Sequence, residues 1–267
     1  MGNNRSRNNK WKSIHLWSWK FRNNCKIFKQ WWNKLPTAEK TGYAFAGWYS
    51  DETLETKVGN AGDSYIPKSN TILYAKWNTN TNTEYKVEYY TEKLDGSYEL
   101  NSEESYTGTT ESSVTAEIKE IAGFEFDENN SSNIKQGNIK ADGSLVLKLY
   151  YKRKSYTVTF DENEGNTLET NTKEVKYGDN YGNLPEVTKE GYTFDGWYDS
   201  KIDGNKITTT TKVEKTENHT IYAHWKINSY TLTINPNGGE YNGYTQSSTY
   251  TQEYNSTKEI GTPTKTK

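Results

Sequence analysis

One eight-residue pattern, Gly-Tyr-x-Phe-x-Gly-Trp-Tyr, occurs twice in this chain of 267 residues, as GYAFAGWY at 42–49 and as GYTFDGWY at 191–198. An active site is normally encoded once, whereas a structural unit is encoded each time that it is built. The flanks repeat as well, because Leu-Pro precedes both copies and a strand-like stretch ending in Trp77 or Trp225 follows them. The sequence therefore predicts a tandem array of small modules.

The repetition sets the predicted boundaries. An N-terminal segment is followed by a half-module, by a module of a different kind, by one complete module and by the start of another. The ranges are 1–34, 35–78, 84–152, 156–226 and 230–267. At roughly 70 residues, each module is near the lower limit of what folds alone.

Alternating apolar and polar residues predict strands throughout the modules. The stretch TVTF places Val158 and Phe160 on one face, and SLVLKLYY makes Leu145, Leu147 and Leu149 an inward row. Asp-Gly and Asn-Gly pairs between such stretches are typical of hairpin turns. The predicted fold class is mainly β (α+β), with a short helical turn near Ser112–Ile121 as the helical candidate.

The repeated pattern itself is interpreted as a core strand. Strict alternation places Phe194 and Tyr198 on one face and Trp197 on the other. Glycine inside a strand is typical of a β-bulge, which we expect at Gly47 and Gly196. The predicted core of the repeat, which is structural and not catalytic, consists of Phe45, Trp48, Leu73, Trp77, Phe194, Trp197, Ile221 and Trp225.

Composition agrees with modules that have thin cores. Hydrophobic residues make up 31% of the chain, and 22 Tyr and 9 Trp supply large apolar areas. Small secreted modules usually add disulfides, but Cys25 is the only cysteine. The abundance of Thr, Asn and Tyr favours a surface protein of a type that avoids disulfides.

Four stretches in order, YTVTFDENEGN, VKYGDNYGNLP, GYTFDGWYD and TIYAHWK, resemble the Listeria–Bacteroides repeat, also called the internalin B B-repeat. The resemblance covers 156–226 fully and 35–77 and 230–267 in part. One departure is that the Gly-Gly pair of the repeat is Glu164-Gly165 in the complete copy. The resemblance implies β-grasp-like modules in an elongated array on extracellular bacterial proteins, without catalytic residues. The middle unit, with YKVEYYTEKLDGSY and GSLVLKLYYKR, is similar to mucin-binding-protein repeats.

The segment 1–34 has a different composition. It holds nine Lys or Arg, no Asp or Glu, and five of the nine Trp. Three hypotheses compete for it: a binder of membrane surfaces or anionic polymers, a nucleic-acid contact, or a shifted reading frame that replaces the opening strands of the first repeat. The third is preferred, nucleic acid is not expected as a partner, and the segment is expected to be disordered or incidentally helical.

No catalytic fingerprint occurs in the sequence, so we expect neither enzymatic activity nor a cofactor. His219 and His224 are an odd number of positions apart on one predicted strand, which places them on opposite faces and argues against a shared metal site. The acidic stretches FDENEGN and DENN are interpreted as solvated turns in preference to loose calcium sites.

The resulting expectation is a non-catalytic repeat region of a bacterial cell-surface or secreted protein, serving as spacer, stalk or adhesion module and arranged as a monomeric array. One alternative is a glycan- or mucin-binding module, with host or cell-wall glycans or surface proteins as partners. Another is a set of accessory repeats from a larger secreted enzyme. No signal peptide, transmembrane stretch or wall anchor is visible in the sequence, so the chain is expected to be a fragment.

Overall fold

The computed structural model describes residues 34–265, which form strands, turns and extended segments but no helix. In chain order the strands are β1 (Tyr43–Tyr49), β2 (Lys57–Gly59), β3 (Tyr74–Thr79), β4 (Thr83–Glu92), β5 (Tyr98–Gly108), β6 (Ser113–Thr115), β7 (Phe124–Phe126), β8 (Gln136–Asn138), β9 (Val146–Arg153), β10 (Ser155–Asp161), β11 (Thr172–Lys176), β12 (Tyr192–Tyr198), β13 (Lys206–Ile207), β14 (His219–Ile227), β15 (Ser229–Ile234) and β16 (Ser248–Glu253). The predicted mainly-β fold class is confirmed.

The described residues group into two compact units. One contains the described residues up to Tyr90 together with Leu100–Glu117 and Asn130–Leu149. The other contains Thr91–Glu99, Ile118–Asn129 and the described residues from Tyr150 onward.

The complete repeat forms a five-stranded sheet in the order β11-β10-β14-β12-β13. Strand β10 runs parallel to β14, with Phe160 opposite Ile221, and the other pairs are antiparallel. Parallel neighbours cannot be joined by a tight hairpin, so the intervening chain crosses over and supplies β11, β12 and β13. Val158 and Phe160 are 0% and 3% exposed, which confirms the face predicted for TVTF.

The first half-repeat forms a three-stranded antiparallel sheet in the order β2-β1-β3. These strands correspond to β13, β12 and β14 of the complete copy. The register agrees as well, because Phe45 lies opposite Trp77 just as Phe194 lies opposite Trp225.

The middle module contains a four-stranded sheet in the order β5-β4-β9-β7 and a small pair, β6-β8. Leu145, Leu147 and Leu149 are buried, as their alternation predicts. The helical turn predicted near Ser112–Ile121 is wrong, because Ser113–Thr115 form β6 and pair with β8. Its β-branched Val and Thr lose side-chain freedom in a helix and fit a pleated strand better.

Strands β15 and β16 form a two-stranded antiparallel sheet at the start of the last repeat. Leu232 is 40% exposed there, whereas its counterpart in the complete copy, Val158, is fully buried. The residues of β15 are therefore less covered than those of β10, although the two sequences alternate in the same way.

A β-bulge interrupts the repeated core strand in both copies, as predicted from Gly47 and Gly196. The register shifts between Phe194 and Gly196, and the extra residue reverses the facing of the residues after it. Trp197 consequently shares a face with Phe194, and their ring centroids are 5.8 Å apart. The prediction that Trp197 faces away from Phe194 is wrong, because it assumed an uninterrupted period of two.

The predictions for segment 1–34 concern its origin, its order and its ligands, and they fall on residues outside those described. Lys34 is the exception, and it forms an isolated β-bridge with Ser64. Between residues 34 and 265 no helix has the length and apolar character needed to cross a membrane.

Candidate functional site

The predicted core residues of the complete repeat lie around one tryptophan. Trp197 is 1% exposed and Ile221 is fully buried, while Phe194 and Trp225 are partly buried and pack against the same cluster. The Trp197 indole N–H donates to the carbonyl oxygen of Pro185 at 2.9 Å. That bond satisfies the one polar group of a buried indole and ties the Leu-Pro turn to the sheet.

The counterparts in the half-repeat are less buried. Phe45, Trp48, Leu73 and Trp77 are all intermediate in exposure. The same contacts recur, because the Trp48 indole N–H donates to the carbonyl of Pro36 at 2.7 Å and Phe45 packs edge-on to both tryptophans. A sheet of three strands covers these rings less fully than a sheet of five.

The loop after β10 packs against the Trp225 indole and accepts its hydrogen bond. Its indole N–H lies 3.1 Å from the carbonyl oxygens of both Glu162 and Asn163. A Cβ on Gly165 would lie only 2.6 Å from the Trp225 ring, so this glycine is needed for the close approach. The neighbouring Glu164 has a φ of +68°, a left-handed conformation that favours glycine. In the last repeat the equivalent residue is Gly238, with a φ of +81°.

We expect Glu164→Gly to stabilise the complete repeat slightly. It removes about 1–2 kcal/mol of left-handed strain, and greater freedom in the unfolded chain offsets about 0.4–1 kcal/mol of that gain. The lost ion pair with Lys189 matters little, because Glu164 is 83% exposed there. Thermal unfolding of the full chain measures the change. Glu164→Ala is the matched control, since it removes the same ion pair but keeps the strain; equal effects of the two substitutions would contradict the argument.

The outward side of the bulge is crossed by a lysine in both copies. Gly196 has a φ of +147°, and a Cβ there would overlap the side chain of Lys206. Gly47 has a φ of +120°, and a Cβ there would lie 2.7 Å from Cε of Lys57. Lys206 also donates from Nζ to the carbonyl oxygen of Asp195. The bulge glycine thus provides both the backbone kink and the space that the lysine needs.

An outward aromatic cluster lies beside this bulge and is formed by Asp195, Tyr198, Lys206, Tyr222 and His224. The Tyr198 and His224 rings are stacked, with centroids 4.0 Å apart and planes 10° apart. His224 Nε2 lies 2.9 Å from the carbonyl oxygen of Ser200. Since a carbonyl can only accept, Nε2 carries the proton in this contact. Tyr198 lies opposite Tyr222 on the neighbouring strand.

Hydrogen bonding controls the ionisation of this cluster. The Tyr198 hydroxyl donates to Asp195, which lowers the pKa of that carboxyl and raises the pKa of the phenol. Lys206 Nζ is 3.8 Å from the Asp195 carboxylate, but both side chains are about half exposed, so the ion pair contributes little. The cluster therefore presents a carboxylate and a neutral phenol at neutral pH, beside the His224 ring.

The half-repeat carries a changed version of the same cluster. Tyr49 corresponds to Tyr198 but is buried, and Lys76 stands in place of His224, with its Nζ 4.9 Å from the Tyr49 ring centroid. Lys76 also lies 3.5 Å from the carbonyl oxygen of Leu54, in the turn that follows β1. Ala46 stands at the position of Asp195, so this copy has no carboxylate there.

The turn after the core strand is held by a carboxylate in both copies. In the half-repeat, Asp51 accepts hydrogen bonds from the N–H groups of Glu55 and Thr56 and from the Thr53 hydroxyl. In the complete copy, Asp199 accepts from the N–H of Asn205 at 2.8 Å. The pKa is lowered at both carboxyls, and at Asp51 to about 2.

Acidification is expected to loosen the turn at Asp51 only at very low pH. A lowered folded-state pKa means that the contribution to stability is fully present above the unfolded value of about 3.9 and is lost as pH falls toward 2. Carboxyl NMR titration of the full chain measures the midpoint. Asp51→Asn removes the transition, and a midpoint for Asp51 at its ordinary value would contradict the assignment.

The histidines occupy separate environments. His219 Nε2 is 2.6 Å from the Tyr181 hydroxyl, whereas His224 contacts Tyr198 and Ser200. Within residues 34–265, no three His, Cys, Asp or Glu side chains come together in a way that could hold a metal ion.

Sequence reasoning missed Lys57, Lys206 and the stacking of Tyr198 on His224. The stacking was hidden by the bulge, which turns Tyr198 outward. The lysines carried a usable signal, because TKVG and NKIT follow the two core strands and place Lys at the same point of each repeat.

The fold and the site together define a mainly-β repeat module with a retained aromatic core and an outward face that differs in part between the copies. Two segments, residues 26–76 and 156–224, match the family model of the Listeria-Bacteroides repeat domain. These matches support the repeat resemblance drawn from the sequence. The similarity of residues 84–152 to mucin-binding-protein repeats stays a prediction.

Longer bacterial proteins contain related sequence. The chain is 32% identical over 206 residues to a protein of Evansella cellulosilytica assigned as a Gly-rich membrane protein, covering 75% of this chain and 22% of that protein. A second Evansella cellulosilytica protein, assigned as a membrane protein, is 29% identical over 197 residues, covering 72% of this chain and 28% of its own length. Internalin H of Listeria monocytogenes is 34% identical over 110 residues, covering 41% of this chain and 19% of its own length. The chain thus spans less than a third of each of these relatives.

Proposed function

We propose that this chain is a non-catalytic repeat region of a bacterial cell-surface protein and that its modules serve as a spacer. The observation that carries the proposal is that the inward aromatic residues recur in both copies, whereas the acidic and imidazole positions of the outward aromatic cluster do not. The inward aromatic residues are the same in both copies: Phe45 matches Phe194 and Trp48 matches Trp197, each Trp with its bond to a proline carbonyl.

Two positions of the outward aromatic cluster differ between the copies, whereas Tyr49, Lys57 and Tyr74 match Tyr198, Lys206 and Tyr222. Ala46 stands where the complete copy has Asp195, and Lys76 stands where it has His224. A repeated binding site would require the same outward groups in each copy, whereas a spacer requires only that each copy folds. The relatives assigned as membrane proteins and the internalin relative support a surface location for the protein that carries these repeats.

Surface location is tested on intact cells of the source bacterium with antibodies raised against the purified chain. Labelling of intact cells is the expected result, and removal of the epitope by external trypsin should abolish it. Labelling that requires lysed cells would overturn the proposed location.

Glycan binding is the second candidate, and the outward aromatic cluster favours it. A tyrosine beside a carboxylate and an imidazole offers both a stacking surface and hydrogen bonds. However, His224 already covers one face of the Tyr198 ring, which leaves less aromatic surface for a sugar.

A glycan array and a mucin pull-down with the full chain separate the two candidates. A spacer gives no saturable binding. Tyr244→Ala is the control, because Tyr244 is a 66% exposed tyrosine outside the outward aromatic cluster. Saturable binding that is lost in Tyr198→Ala and kept in Tyr244→Ala would replace the spacer proposal with the glycan-binding proposal.

A further inference from the structure

Three modules contain the same backbone corner. Gly42, Gly123 and Gly191 have φ values of +77°, +79° and +77°. Each glycine immediately precedes a strand that opens with an aromatic residue, namely β1, β7 and β12. The corner therefore occurs in the middle module as well as in both copies of the repeat.

At the corner of the middle module, the next module is attached by two backbone hydrogen bonds in series. The N–H of Lys154 donates to the carbonyl of Gly123 at 2.9 Å. The N–H of Tyr177 then donates to the carbonyl of Lys154 at 3.0 Å. Lys154 is the single residue between β9 and β10, so the linker itself is the middle member of the series.

The corner of the complete repeat has the same series. The N–H of Asn228 donates to the carbonyl of Gly191 at 2.9 Å, and the N–H of Tyr254 donates to the carbonyl of Asn228 at 2.8 Å. Asn228 is again the single residue between two strands, β14 and β15.

The corner of the half-repeat preserves the series with a different final residue. The N–H of Asn80 donates to the carbonyl of Gly42 at 3.0 Å, and the N–H of Thr110 donates to the carbonyl of Asn80 at 2.8 Å. The Thr110 hydroxyl adds a bond of 2.8 Å to the carbonyl of Gly42, and Thr110 is only 2% exposed. Ala141 fills the space beside the glycine, since a Cβ on Gly42 would lie 2.6 Å from its backbone.

At the other two corners a tyrosine ring fills that space. A Cβ on Gly123 would overlap the ring of Tyr177, and a Cβ on Gly191 would overlap the ring of Tyr254. The aromatic residue that follows each glycine packs edge-on to the same ring, with centroids 5.7 Å and 6.1 Å apart. Glycine is thus required for the positive φ and also for the seating of the tyrosine.

The residue that closes the series has an equivalent position in every module. Tyr177 follows β11 and Tyr254 follows β16, and each of these strands pairs with the opening strand of its module. Thr110 lies two residues after β5, the strand that neighbours the opening strand β4. The first residues after the second strand therefore contact the preceding module in all three cases.

We propose that the glycine corner of each module is a docking site for the next module, and that its occupant is the first or second residue after the second strand of that next module. The linker is one residue at two corners and residues 80–82 at the half-repeat. Held by hydrogen bonds on both sides, and flanked at the first two by a packed ring and at the third by Ala141, it fixes neighbouring modules in one mutual orientation. This docking holds whether or not the repeats act as a spacer, because it concerns neighbouring modules and no external partner.

Distance measurement between spin labels on the full chain tests the docking at Gly191. Cys25, the only cysteine, is replaced by Ser, and labels are placed at Glu174→Cys and Thr249→Cys on the exposed sides of β11 and β16. Pulsed electron paramagnetic resonance should give one narrow distance distribution. A broad distribution in this parent chain would overturn the proposal.

Two substitutions in the same labelled chain address the two sides of the contact. Gly191→Ala and Tyr254→Ala should each abolish the narrow distribution, while Tyr254→Phe keeps it. Gly238→Ala is the matched control for backbone strain, since Gly238 has a φ of +81° but nothing within 4 Å of the added carbon. Amide exchange in β10 and β14 verifies that the complete repeat stays folded. A narrow distribution retained in Tyr254→Ala would overturn the proposal even if Gly191→Ala fails to fold.

Discussion

Trp197→Ala should unfold the complete repeat within the full chain while leaving the other modules folded. The Trp197 ring is 1% exposed and packs edge-on to Phe160 and Phe194, with centroids 5.1 Å and 5.8 Å away. Truncation of such a ring costs about 3–5 kcal/mol, which is comparable with the whole stability of a small module, about 5 kcal/mol at the low end. Hydrogen exchange of the β10 and β14 amides, followed by mass spectrometry, measures the effect.

Two further variants give this experiment its controls. Trp48→Ala removes the equivalent ring from a less buried position, so its cost should be smaller. Trp197→Phe retains most of the buried area but loses the bond to the Pro185 carbonyl, so it should cost less than Trp197→Ala. Protection of β10 that is unchanged by Trp197→Ala would show that the module core has been placed wrongly.

The sequence was sufficient to predict strands and inward rows where the period of two is unbroken. Val158 and Phe160 on β10 and Leu147 and Leu149 on β9 are buried as expected. This works because a strand has only two faces, and an apolar row selects one of them.

The facing of Trp197 could not be read from alternation, although its bulge could be predicted. Gly196 signals an irregularity, but only the pairing with β14 determines where the extra residue falls. The same shift turned Tyr198 outward and created its stack on His224. An error of one position in a strand therefore reversed the faces predicted for Trp197 and Tyr198, although Trp197 itself was expected in the core.

The glycine corners lay outside sequence reasoning for a different reason. Gly42 and Gly191 were visible as the first residue of the repeated pattern, which explains a turn but not a docking site. Their hydrogen bonds reach a linker residue and then a residue of the next module, such as Tyr254. Contacts between successive modules leave no periodic signal within a strand.

The buried leucine row of the middle module should be nearly as sensitive as the tryptophan. Leu147→Ala removes a fully buried side chain and should cost about 2–5 kcal/mol. Leu100→Ala is the matched control, because Leu100 lies on β5 of the same sheet and is 51% exposed. A surface change of that kind should stay within about 0.5 kcal/mol.

Thermal unfolding combined with amide hydrogen exchange in β4 and β9 distinguishes unfolding of the middle module alone from unfolding of its neighbour as well. Leu147→Ala should remove the protection of amides in these strands against exchange, while the amides of β10 and β14 remain slow to exchange. The reason is that Val158 and Ile221 belong to a core cluster that contains no residue of the middle module. Loss of protection in both places would show instead that the two modules unfold as one cooperative unit. An effect of Leu147→Ala no larger than that of Leu100→Ala would contradict the assignment of the leucine row as the core of the middle module.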